Sequence, residues 1–98
     1  MKARLVGIAF SKRAGKKWDA LFEDVRTGYR WAVPFGAKGY KDYTEHGDSG
    51  RKQSYLARHQ PREQWDNPFT PGALSRWLLW NLPTLEESLA DYRRRFNL

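Results

Sequence analysis

The sequence predicts an α+β fold: a small three-stranded antiparallel sheet followed by two or three helices packed on one face. Three observations predict it. Between Trp18 and Phe35 the apolar residues alternate with polar ones, the period of a half-buried strand. Beyond Asp48 apolar residues recur three and four apart, between recognisable helix caps. The two patterns are segregated along the chain rather than interleaved, which argues against a parallel βαβ sheet.

The elements follow in order. "ARLVGIAF" (3–10) is a short apolar run with β-branched members, read as the first strand. "SKRAGKK" (11–17) breaks it with Gly15 and four basic residues. In "KWDALFEDV" Trp18, Ala20 and Phe22 fall on one face; in "YRWAVPF" Tyr29, Trp31, Val33 and Phe35 do the same, so the "RTG" between them closes a hairpin. Pro34 cannot donate to a ladder and belongs at an edge or a strand end. After a polar loop, Asp48 caps a helix that runs to about His59 and stops before Pro61. Thr70 caps the next helix, with Pro71 at its first position and Leu74, Trp77 and Leu78 as its buried stripe, Trp80 lying beside it. Thr84 with Glu87 three residues on is a capping box, and Leu85, Leu89, Tyr92 and Phe96 carry the apolar face of the last helix. Arg93, Arg94 and Arg95 fall in its final turn, where cations favour the helix dipole.

A chain of 98 residues fits one domain, 1–98, with a β-meander over about 3–35 and the polar loop and helices over about 36–96. Without cysteine there is neither a disulfide framework nor a thiolate metal site. "WLLW" (77–80) is far shorter than the roughly 20 residues of a membrane span. The N-terminus has a basic start but no leader pattern, so the expectation is a cytoplasmic or virion-associated protein that is not secreted.

The formal charge is +7, and it is uneven. Residues 1–62 hold fourteen Lys or Arg against six Asp or Glu; residues 63–98 hold four against five. A cationic domain of this size favours anionic partners: nucleic acid first, DNA before RNA, then an acidic protein. No membrane partner and no cofactor is expected. The residues expected to meet phosphate are Lys12, Arg13, Lys16 and Lys17 in the first loop, Lys38 and Lys41 around "FGAKG", and Arg51, Lys52, Tyr55, Arg58 and His59 on the 48–59 helix, where cation and aromatic alternate on one face. Gly36-Ala37-Lys38-Gly39 has the GxxG wording of KH domains but follows a strand, where that loop joins two helices. His46 and His59 with Asp42, Asp48 and Glu63 are the remaining chemistry-bearing set, compatible with a small metal-dependent phosphodiesterase. No HExxH, tight carboxylate pair or Ser-His-Asp pattern accompanies them, so no catalytic residue and no metal ligand is assigned.

"FGAKGYKDYTEHGDSGRKQSYLARH" and "TPGALSRWLLWNLPTLEESLADYRRRF" together resemble a family of small uncharacterised proteins frequent in large double-stranded DNA viruses. Its pattern runs FGAKGYxDYTxH, a basic helix with Tyr and Arg-His, then WLLWNxP[ST]; the resemblance covers roughly residues 16–96, with Gly47 standing where the pattern often has lysine. It implies a setting, a large DNA virus or phage, in which a small basic protein meets packaged or replicating DNA. A minor virion component with a structural or assembly role is the second reading and the phosphodiesterase the third. Oligomeric state, strand type and base preference leave no signal in the sequence.

Overall fold

A computed structural model describes residues 2–98. Strands β1 (Ala3–Phe10), β2 (Lys16–Asp24) and β3 (Arg30–Ala37) pair antiparallel in the order β1-β2-β3. The register puts Phe10 and Phe35 on either side of Trp18, and Leu5 and Trp31 on either side of Phe22. Alternation therefore gathers one apolar face: Ala20, Phe22 and Phe35 are fully buried, with Trp18, Trp31 and Val33 packed around them. A bulge between Leu5 and Gly7 supplies the extra residue that keeps both Leu5 and Ile8 on that face. Pro34 sits in β3, an edge strand, where a missing N–H costs no ladder bond. Tyr29 does not join the inner face. It lies in the turn ahead of β3, outside the strand's alternation, and is 66% exposed with its ring stacked on Trp31.

The polar segment after β3 is not all loop. Helix α1 (Tyr43–His46) forms there on an Asp42/Glu45 capping box, and Gly47, at φ 63°, ends it in the left-handed conformation that glycine adopts most readily. Helix α2 (Ser49–His59) starts at Asp48, whose carboxylate accepts the Arg51 N–H at 3.1 Å, and passes into a 3₁₀ turn at Gln60–Arg62. Thr70 caps α3 (Pro71–Leu74), which widens into a π-helix over Ser75–Leu79, closed by Trp80 N–H donating to Ser75 O at 3.1 Å. Helix α4 (Leu85–Phe96) begins at Thr84, which accepts the Glu87 N–H and donates to its carboxylate.

The π-turn changes the stripe expected of the Trp-rich helix. Leu74 and Leu78 are fully buried, but the extra residue per turn brings Leu79 into the core as well and leaves Trp77 half-buried. The Trp77 indole instead donates to Trp65 O at 2.8 Å and lies under the guanidinium of Arg95, 3.8 Å from the ring centroid. Leu74, Leu78, Leu79 and Tyr92 form one cluster with the inner face of the sheet. Among the described residues no helix is long and apolar enough to cross a membrane.

Candidate functional site

The β2–β3 end of the sheet is tied to α1 by a single lysine. Lys17 Nζ donates to Tyr40 O at 2.7 Å, to Asp42 Oδ2 at 2.8 Å and to Glu45 Oε1 at 2.6 Å. Burial alone would lower its pKa, but the bonds to Asp42 and Glu45 outweigh it and hold the ammonium above the ordinary lysine value. Lys17 in turn holds Glu45 below the usual carboxylate range. The expectation that Lys17 faces phosphate is thus corrected: its three donors are spent inside the protein, on groups 23 to 28 residues away that no local pattern reveals. Gly36 permits this packing. At φ 80° it occupies the left-handed region, and a Cβ there would stand 3.0 Å from Leu79 Cδ1 and 3.1 Å from Lys17 Cβ. The glycine of "FGAKG" serves a close approach of β3 to the π-helix.

Around this anchor the basic loops converge. Lys38 N–H donates to Gly15 O at 3.0 Å, setting the turn after β3 against the β1–β2 loop. That loop is closed by Ser11 N–H to Lys17 O and by Arg13 N–H to the Ser11 hydroxyl. Lys12, Arg13, Lys16, Lys38 and Lys41 are all exposed, and among the described residues none has a carboxylate within ion-pair distance. Two aromatic residues absent from the expected set stand beside them. Phe10 is 78% exposed and stacked on Trp18 at 4.5 Å, and Tyr40 is 75% exposed. The available signal was interleaving: Phe10 directly precedes the basic loop and Tyr40 lies between Lys38 and Lys41.

Helix α2 divides its residues between structure and surface. Lys52 Nζ donates to Asn81 O at 2.6 Å and stands 4.9 Å from the Tyr43 ring centroid; burial, then the nearby Arg76 charge, lowers its pKa. Tyr55 lies between Trp80, at 4.3 Å and 4°, and His59, at 4.2 Å and 25°, and burial pushes its hydroxyl up to about 12. Neither residue is free for an incoming ligand as expected, because each fastens α2 to the segment that follows the π-helix. Arg51 and Arg58 are exposed, Arg51 loosely paired with Asp48 at 3.9 Å. His59 ends the ring stack, its side chain 40% exposed and its Nδ1 3.7 Å from Glu63 Oε1.

Two clefts open beside this stack. One of about 530 Å³ is lined by residues of the sheet and its loops, among them Lys16, Gly36 and Tyr40, and by Arg58, His59, Glu63 and Gly72 of the helical half. The second, more open, is lined by Lys41, His46, Asp48, Arg51, Ser54 and Arg58. Lys41, Arg58 and Trp80 line both. His46 accepts the Asp48 N–H on Nδ1 at 2.9 Å, which leaves the hydrogen on Nε2, a buried donor without a protein partner. His46 lies against Trp80 and His59 against Tyr55, so the paired rings separate the two histidines. Among the described residues no three His, Asp or Glu side chains converge as metal ligands.

A family model described as a family of unknown function (DUF5754) matches residues 6–59, a span that includes every residue expected to meet phosphate. No curated protein and no solved structure matches the chain.

Proposed function

Since the chain belongs to this family of unknown function, which lends it no activity, we propose its function from the surface alone: it binds nucleic acid, DNA first, mainly through phosphate contacts. One observation carries the reading. Of seven exposed cations, Lys16, Lys41, Arg51 and Arg58 line the two clefts and Lys12, Arg13 and Lys38 lie on the adjoining loops. Asp42 and Glu45 are engaged by Lys17 and Asp48 caps α2, which leaves Glu63, among the described residues, as the one carboxylate of the 530 Å³ cleft that nothing engages by a hydrogen bond. Most of this positive charge is therefore uncompensated, and four of the seven cations bring it to the two clefts. In this reading the resemblance to proteins of large double-stranded DNA viruses favours DNA as the ligand, met in a packaged or replicating state.

The test is a titration of labelled DNA at several salt concentrations. Each phosphate neutralised releases counterions, so engagement of about five of the seven cations predicts a slope of log affinity against log salt of about −4 to −5. Replacing Lys38, Lys41 and Arg58 together by Ala is expected to flatten the slope by about 3 while the melting temperature holds, since surface sites each shift stability by within about 0.5 kcal/mol. No binding at low salt, or affinity independent of salt, overturns the proposal.

A further inference from the structure

Glu63 is the residue that phosphate binding does not explain. It places a carboxylate in the 530 Å³ cleft that Arg58 and Lys16 also line, where it repels phosphate. Among the described residues no hydrogen-bond donor satisfies it, and the nearest basic side chain, His59, brings its Nδ1 to 3.7 Å. The fold makes room for it: a Cβ at Gly72 would fall on the carboxylate, so the absence of a side chain there is what lets it lie as it does. Beside it the Trp80–Tyr55–His59 stack ends in the His59 ring, stacked on Tyr55 with its side chain 40% exposed. Tyr40 lines the same cleft, its carbonyl fixed by Lys17 and the residue 75% exposed.

From this geometry we infer that the cleft receives one unpaired nucleobase of single-stranded DNA, stacked on the exposed His59 ring, with its polar edge toward Glu63 and its flanking phosphates on Lys16 and Arg58. The inference rests on the nucleic-acid reading above and adds strand type and base preference. An aromatic face accepts any base, because every base has a π-face. An ionised carboxylate only accepts hydrogen bonds, so it selects among them. Guanine offers two adjacent donors, N1–H and the N2 amine; thymine offers one N–H flanked by two carbonyls that oppose a carboxylate. The cleft therefore favours guanine and disfavours thymine. A base within a continuous duplex has its edge paired and its faces stacked, and cannot enter.

The experiment compares a 12-nucleotide oligo-dT, the same oligomer with one central dG, and a duplex, at fixed salt, against the wild-type protein and the variants His59→Ala and Glu63→Gln. His59→Ala is expected to weaken single-strand binding about 5- to 150-fold, the range that stacking of one base supplies, and to leave duplex affinity within about twofold. The dG oligomer is expected to bind at least about fivefold tighter than oligo-dT, and Glu63→Gln to remove that difference. Circular dichroism of both variants serves as the folding control. Equal loss on both strand types in His59→Ala, or no base preference in the wild type, overturns the inference while phosphate binding stands. Failure of the wild type to bind any of the three ligands overturns both.

Discussion

Replacing Lys17 by Met separates an anchor from a ligand contact. The substitution keeps the aliphatic stem that packs under Gly36 and removes only the ammonium. Three acceptors lose their donor. The Asp42 side chain is 5% exposed and keeps the N–H and hydroxyl of Thr44, so its charge stays buried with two of its hydrogen bonds. Glu45 is 44% exposed and recovers water, and the Tyr40 carbonyl lies at the surface. Breaking a buried ion pair by removing one partner costs about 3–5 kcal/mol, and the surviving Thr44 bonds put this case near the lower end, at about 3 kcal/mol. For a chain of this size that lowers the melting midpoint by about 12–24 °C. Melts followed by far-UV circular dichroism, with urea titration as a second measure, read the loss, and DNA affinity at a temperature where the variant is folded reads the ligand side. A variant that melts within about 4 °C of the wild type but binds DNA tenfold more weakly refutes the assignment and returns Lys17 to the surface set.

Stability should fall at both ends of the pH scale. Glu23, held by Arg30 and Arg4, and Glu45, held by Lys17, have folded values below the ordinary 4.5, so their contributions are complete above it and vanish as pH falls through the depressed values. Lys17 runs oppositely: its contribution is complete below 10.5 and is lost as pH rises through its raised folded value, so urea midpoints should form a plateau between about pH 5 and 10, with a shallower alkaline fall in Lys17→Met, where the buried Tyr55 hydroxyl, raised to about 12, still contributes to it. Gly36→Ala combines left-handed backbone strain with contacts near 3.0 Å to Leu79 and Lys17, and about 2–4 kcal/mol of destabilisation is expected by urea titration; a neutral result means that β3 and the π-helix are not in close contact. Tyr92→Phe removes the donor to Pro68 O at 2.7 Å and should cost about 1–2 kcal/mol with little loss of packing; an unchanged denaturation midpoint refutes that bond.

The strands were legible because burial on one face writes its period directly into the chain: Trp18, Ala20 and Phe22 alternate with Asp19, Leu21 and Glu23, and the sheet uses that alternation as read. Caps were legible for the same local reason, since Asp48, Thr70 and Thr84 each bond to an N–H three residues ahead. Helix α1 carried the same kind of signal in Asp42 and Glu45, hidden inside a run of charges that read as solvated loop. What stayed hidden depends on distant partners. The tie of Lys17 to Glu45 spans 28 residues and that of Lys52 to Asn81 spans 29, so composition counted both as free cations. Tyr55 shared a face with Arg51 and Arg58 as its spacing required, but only the fold shows Trp80 already lying on it.

The π-helix makes chain length a heritable constraint. Deleting any one residue between Ser75 and Leu79 would let the segment relax to ordinary helical bonding with about the same total turn, so the chain that follows would keep its direction. The cost falls on the core, because Leu78 and Leu79 could no longer both turn inward. Along this stretch a lineage can exchange side chains more freely than it can drop a codon, and an insertion that lengthened the widened turn would misplace Trp80 against Tyr55. Relatives that share the cleft are therefore expected to keep the count of residues from Thr70 to Trp80 even where the residues themselves differ.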